Sequence, residues 1–234
     1  MTLHHVDIVF QLIVFLFAIS FHESAHAWTA NRRGDPTARM LGRISLNPIK
    51  HIDPVGTILL PLIAMLTHFP AIGWAKPTPV DPRNFRNHVR DDILTSVAGP
   101  VSNFLIASGA LALLAVIAGT SALGHEIVRD IPRAYPDFLE VLAAETKNSS
   151  LMPLSLLLYE FMWINIVLGV FNLIPVPPLD GSHVLRHFLS GSAQRAYDTV
   201  GIFGLMALVF FGGRFLAMLI FPVMDFFNAI LLRV

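Results

Sequence analysis

The sequence predicts an all-α protein that crosses a membrane several times. Of its 234 residues, 54% are hydrophobic and only 14% are charged, and long apolar runs recur along the whole chain. The chain contains no cysteine, which excludes disulfides and thiolate metal sites. Basic and acidic residues balance at 16 each, so the overall charge does not indicate a nucleic-acid partner.

The first predicted span runs from about residue 6 to residue 30. A cleaved signal peptide is disfavoured there, because no Lys or Arg precedes the apolar run. The basic residues between this span and His51 are Arg32, Arg33, Arg39, Arg43 and Lys50, against the single acid Asp35. Because Lys and Arg are enriched on the cytosolic side of membrane helices, we expect the N-terminus outside and the end of this span in the cytosol. The protein is therefore expected in the cell membrane, as a multi-pass protein surrounded by lipid bilayer.

The apolar run at 57–72 is predicted to be a re-entrant or β-like segment. It is shorter than the roughly 20 residues that a crossing needs, and Pro61 and Pro70 interrupt it. Basic residues flank it on both sides, which indicates that it enters and leaves on the cytosolic side. A tilted crossing is the alternative.

Two further spans follow. Residues 93–123 are rich in Gly, Ala and Ser, which let membrane helices approach closely, so this span is expected at the centre of the bundle. Residues 124–150 carry several acids together with Pro132 and Pro136, a pattern that predicts an outer loop without a long helix. The span at 151–173 then returns to the cytosol.

Residues 22–26 read His-Glu-Ser-Ala-His at the end of the first span. Residues four apart share one face of a helix, so His22 and His26 can reach one zinc ion, while Glu23 can take a proton from a water bound to it. Catalytic zinc sites normally use three protein ligands, so a third must come from elsewhere. Asp180 is the best candidate, because it follows the proline-broken end of the 151–173 span on the same predicted side. A simple Asp-Gly turn is the alternative.

Other polar residues have two interpretations each. His183 and His187 are also four apart and form a rival metal pair, but no acid lies between them, and a helix flank at the membrane surface is favoured. Asn103 is predicted at the depth of the metal, where its amide serves either as a hydrogen bond between helices or as a donor to a developing oxyanion. The same two interpretations apply to Asn172.

These motifs resemble those of the site-2 proteases, a family of zinc-dependent intramembrane metalloproteases. The resemblance rests on HESAH at 22–26, GPVSN at 99–103 and NLIPVPPLDG at 172–181, with GWAKPTPV at 73–80 as a further similar segment. It is closest to the compact members that lack a PDZ or CBS domain.

The resemblance implies a fold and a set of roles. The fold is a three-helix catalytic core with a β-like hairpin after the first span and additional C-terminal helices. The implied ligands of one zinc ion per chain are His22, His26 and Asp180. Glu23 is the implied catalytic base, and Asn103 and Asn172 are implied to line the substrate cleft. The implied substrates are single-span membrane proteins, cut in or near their transmembrane segments.

The chain is expected to form a single membrane metalloprotease domain over 1–234, with the catalytic core at about 6–190 and C-terminal helices at about 196–234. A break at 212–214 makes the tail either two short helices or one hairpin. Two other functions remain open. A divalent-metal transporter would use intramembrane His and Asp residues as a transit site. An inactive scaffold would bind partner helices without chemistry.

Overall fold

The computed structural model describes residues 3–60, 63, 74–134 and 150–234. The helices in that part of the chain are α1 (Leu3–Arg33), α2 (Thr37–Met40), α3 (His88–Thr120), α4 (Ala122–Ala134), α5 (Leu151–Asn172), α6 (Asp180–Arg186), α7 (Gly191–Phe211) and α8 (Gly213–Leu231). No strand occurs among the described residues. The all-α prediction is therefore confirmed.

Three of the described helices, α3, α5 and α8, are long and apolar enough to cross a membrane. Helix α1 covers the predicted first span at 6–30. The predicted re-entrant segment at 57–72 lies mostly outside the described residues. Its described beginning is part of a π-helical turn at Pro54–Leu59, which Asp53 caps by accepting hydrogen bonds from two backbone N–H groups.

Helix α3 lies at the centre of the bundle, as its composition predicted. It packs against α1, α4, α5 and α6. Small residues such as Ala107 and Ala110 are buried along it and allow the close approach. On α5, Gly169 faces the ring of Phe104, where an added Cβ would lie 3.0 Å from the ring. Large side chains from α3, α4, α5 and α8 complete the apolar core, including Leu114, Leu156, Met162, Ile166 and Met224.

The prediction of an outer loop at 124–150 is wrong for residues 124–134. Helix α4 continues to Ala134, with Pro132 inside its last turns. Ile127, Val128 and Ile131 lie on one face of α4 and are buried in the core. Burial of this apolar face outweighs the helix-breaking effect of Pro132. The charged residues of the segment made the apolar face hard to recognise in the sequence. Residues 135–149 lie outside the described part.

The break at 212–214 separates two helices. Helix α7 ends at Phe211 and α8 begins at Gly213, with Gly212 donating its backbone N–H to the carbonyl of Leu208. The proline-rich segment after α5 is a series of turns, and α6 begins at Asp180 itself.

Candidate metal centre

The three predicted ligands come together. The Nε2 atoms of His22 and His26 are 3.0 Å apart, and each lies close to Oδ2 of Asp180, at 3.1 Å and 3.3 Å respectively. Ligand atoms around a tetrahedral zinc ion are roughly 3.3–3.5 Å apart, given Zn–N and Zn–O bonds of about 2.0–2.2 Å. His22, His26 and Asp180 are the one group in the described part of the chain with metal-ligand spacing.

Both imidazoles are oriented by their other nitrogen. His26 Nδ1 lies 2.7 Å from the carbonyl oxygen of Thr95, and His22 Nδ1 lies 2.6 Å from Oδ1 of Asn103. A carbonyl oxygen can only accept, so each Nδ1 carries the proton and donates. Each Nε2 therefore presents a lone pair to the centre, which is the usual arrangement of metal-bound histidines.

The Asp180 carboxylate completes an electron-rich cluster. Its Oδ2 atom is buried and has no hydrogen-bond donor in the described structure. Two imidazole nitrogens and a carboxylate oxygen thus converge on one buried point. Such an arrangement is unfavourable unless a cation lies among them. The donor set of two nitrogens and one oxygen fits zinc.

Gly99 of α3 allows the histidine rings to reach this position. A Cβ atom added there would lie 2.3 Å from Nε2 of His26 and 2.6 Å from Cε1 of His22. The rings therefore pack directly on the backbone of α3. This close approach gives a physical reason for glycine within the 99–103 motif.

Asn103 lies behind the metal centre. It is fully buried, accepts from His22 through Oδ1 and donates through Nδ2 to Oδ1 of Asn165 at 2.8 Å. Asn165 in turn donates to the carbonyl of Phe161. With both ends of its amide bound to protein, Asn103 is arranged to orient His22. The sequence had not singled out Asn165, although an asparagine in an apolar helix is the same feature that marked Asn103.

The structure places Asn172 at the end of α5, where its Nδ2 donates to the carbonyl of Leu168 on the same helix, at 3.0 Å. Its implied place in the substrate cleft stays a prediction.

Helix α6, which carries Asp180, is fixed to α3 by a second polar cluster. Oδ2 of Asp92 lies 2.8 Å from Nε2 of His187 and 3.7 Å from Nδ1 of His183. The neighbouring carboxylate of Asp92 raises the pKa of His183. The rival metal pair is therefore not a metal group among the described residues. The two side chains instead attach α6, which carries Asp180, to α3, which orients His22 and His26.

Glu23 lies beside the ligands and is half-buried. Its Oε2 atom accepts a hydrogen bond from the backbone N–H of Thr78 at 2.8 Å. The sequence had not singled out Thr78, because a backbone donor leaves no mark in a residue pattern.

A mostly apolar groove of about 460 Å³ runs along the same helix. It lies between α1 and residues 44–46. The residues that line it are Phe21, Ser24, Ala25, Trp28, Ile44, Ser45, Leu46 and Ser102. Two of them, Ser24 and Ala25, lie between the paired histidines in sequence, on a different face of α1.

Comparison with known proteins agrees with this geometry. The chain matches the model of peptidase family M50 over residues 10–211. It is 32% identical over 200 residues to a Bacillus subtilis (strain 168) protein named "Putative zinc metalloprotease YwhC", a match that covers 86% of this chain and 78% of that protein. Two proteins named "Putative zinc metalloprotease Rip2", from Mycolicibacterium smegmatis and Mycobacterium tuberculosis, are 27% and 29% identical to it, and each match covers 66% of the relative. A search of solved structures found no significant match. On the family match over most of its length, this chain belongs to peptidase family M50, the family of the site-2 proteases.

Proposed function

We propose that the protein is a zinc-dependent intramembrane endopeptidase that hydrolyses peptide bonds in or near the transmembrane segments of membrane-anchored proteins. The observation that carries the proposal is the convergence of the ligand atoms of His22, His26 and Asp180 on one point, beside the carboxylate of Glu23. Membership of M50 supports this chemistry and does not favour a metal transporter or an inactive scaffold.

The residues have distinct proposed roles. A zinc ion held by His22, His26 and Asp180 would supply a Lewis acid and lower the pKa of a coordinated water towards 7. The Glu23 carboxylate accepts the proton of the water that attacks the peptide carbonyl, and then gives that proton to the leaving amine nitrogen. Asn103 and the Thr95 carbonyl hold the imidazoles in the orientation that this requires.

A transmembrane substrate must lose its helical hydrogen bonds before its carbonyl can be attacked. The groove beside α1 is the proposed binding site for the unwound segment. Backbone N–H groups of Ile44 and Leu46 have no hydrogen-bond partner among the described residues and belong to residues that line this groove. We propose that they pair with the extended substrate by β-strand addition.

The region 57–80 is the alternative edge for this pairing. Where that region is described, the N–H groups of Trp74, Lys76 and Thr78 already have partners, and Pro77 and Pro79 have no N–H. Residues 44–46 are therefore the better edge for strand addition.

The test uses purified full-length protein, a panel of single-span membrane proteins as substrates, and zinc analysis of every variant. Glu23→Gln is expected to keep zinc and lose cleavage by at least about 100-fold, because the base is removed while the ligands remain. His22→Ala and Asp180→Ala are expected to lose both zinc and cleavage. Full cleavage by Glu23→Gln would contradict the proposal, as would metal uptake into proteoliposomes without cleavage of any substrate.

A further inference from the structure

Thr78 makes two hydrogen bonds to the same glutamate. Its backbone N–H donates to Oε2 of Glu23 at 2.8 Å, and its hydroxyl donates to the backbone carbonyl of Glu23 at 3.1 Å. The side chain of Glu23 is therefore held at its carboxylate by a segment 55 residues further along the chain.

The sequence around Thr78 makes this contact rigid. Pro77 and Pro79 flank it, and each proline ring fixes its own φ near −65°. A residue followed by proline is also restricted to extended backbone, which applies to both Lys76 and Thr78. Because prolines have no N–H, the amide of Thr78 is the one backbone donor between residues 77 and 79.

Both ends of this segment are attached to the rest of the protein. On one side, the N–H of Lys76 donates to the carbonyl of His51 at 2.9 Å. On the other side, the N–H of Asp81 donates to the buried carboxylate of Asp35 at 2.8 Å. Residues 76–81 therefore form a strut that crosses α1 beside Glu23 and is fixed at both ends.

We propose that this strut positions the catalytic base, and that Thr78 is its positioning residue. The inference rests on the proposed function, because it takes Glu23 as the base. A glutamate has three side-chain torsions, and a proton acceptor works only within hydrogen-bond reach of the attacking water. The Thr78 amide restricts the carboxylate to one position through its hydrogen bond to Oε2.

The kinetic test removes this amide. Thr78→Pro is expected to lower kcat about 10- to 100-fold with KM changed less than about twofold, because misplacing a catalytic group has effects of that size. Zinc content should stay unchanged. Thr78→Ser, which keeps both donors, is expected to recover kcat to within about threefold of the wild type.

Val80→Pro is the matched control. It adds a proline to the same segment, and the amide it removes has no hydrogen-bond partner in the described structure. It should leave kcat within about twofold. An unchanged or increased kcat in Thr78→Pro would overturn the proposal, and an increase would identify the strut as an inhibitory cap.

Hydrogen exchange tests the strut independently of cleavage. In peptides spanning 74–81, Glu23→Ala is expected to speed exchange of the Thr78 amide about tenfold or more, while the Lys76 amide, bonded to His51, keeps its wild-type rate. Equal Thr78 exchange in wild type and Glu23→Ala would overturn the strut. If no substrate is cleaved by the wild type, the proposed function fails, yet this measurement still decides whether Thr78 holds Glu23.

Discussion

At the scale of single residues, the metal centre requires a glycine at position 99. His22 and His26 pack on the backbone of α3 at Gly99, where a Cβ atom would overlap both rings. Gly99→Ala is therefore expected to displace the imidazoles and to lower zinc affinity at least about tenfold, with a matching loss of cleavage. Zinc titration of the purified variant is the measurement.

Gly109 provides the matched control on the same helix. In the described structure, no atom outside the adjoining backbone of α3 lies within 4 Å of a Cβ added there, so Gly109→Ala meets no steric obstacle and gains helix propensity. It should bind zinc as tightly as the wild type. Equal zinc affinity in both alanine variants would show that the rings do not rest on the backbone at Gly99.

The same residues show how far the sequence predicts the site. The spacing of His22 and His26 follows from the period of a helix, which is local and can be read from the chain. Asn103 was singled out by the sequence, and in the structure its buried amide oxygen accepts a hydrogen bond from the imidazole of His22. Its implied place in the substrate cleft stays a prediction. The contacts of Thr95 and Thr78 use backbone carbonyl and N–H groups, which every residue carries. A pattern of side chains therefore could not identify them.

At the scale of elements, Asp35 joins the end of α1 to the strut. It is fully buried, and its carboxylate accepts hydrogen bonds from Thr37, from the Asp81 N–H and from Asn84. Burial alone would raise the pKa of this carboxyl group, but the hydrogen bonds together lower it below its usual value. The charged form is thus favoured in the folded protein.

This lowered pKa predicts how stability responds to acid. A group whose pKa is lower when folded stabilises the protein at pH values above its unfolded pKa, about 3.9, and that contribution is lost as the pH falls through the folded pKa. At pH 7, Asp35→Asn is expected to cost about 1–3 kcal/mol, because buried donors lose a charged acceptor. The difference in melting temperature between wild type and Asp35→Asn should shrink from pH 7 to pH 3.

Asp130→Asn serves as the control for this acid response, because Asp130 lies on the exposed face of α4 with only surface ion pairs. Its melting temperature should follow that of the wild type at both pH values. A difference between wild type and Asp35→Asn that stayed constant with pH would contradict the role of the charged carboxylate.

The elements also differ in how well the sequence predicted them. Spans with uninterrupted apolar runs were predicted within a few residues, because burial in lipid or protein dictates their composition. Helix α4 was not predicted, because its apolar face of Ile127, Val128 and Ile131 is short and its charged residues suggested a loop. Asp92 was missed for a related reason. Asp92 contacts His187, 95 residues away, and this contact exists only because α6 packs on α3.

At the scale of the whole molecule, α3 is long enough for its two ends to lie on opposite sides of a membrane. Thr95 and Gly99 contact the metal ligands near its beginning, and Ser121 follows its last residue. At 1.5 Å per residue, the helix between Thr95 and Ser121 is about 39 Å long, which exceeds the roughly 30 Å hydrocarbon thickness of a bilayer. We therefore expect Ser121 and the loop after α1 on opposite sides of the membrane, with the loop in the cytosol because of its basic residues.

Single cysteines can test this orientation directly, because the natural chain contains none. Ile49 and Ser121 are both exposed, so Ile49→Cys and Ser121→Cys should react with a maleimide wherever the reagent can reach them. With a membrane-impermeant maleimide, intact cells should label Ser121→Cys and spare Ile49→Cys, and inside-out vesicles should give the reverse. Labelling of both from one side would contradict a crossing by α3. A clean exchange of the two results would keep that crossing but place the metal centre at the outer side.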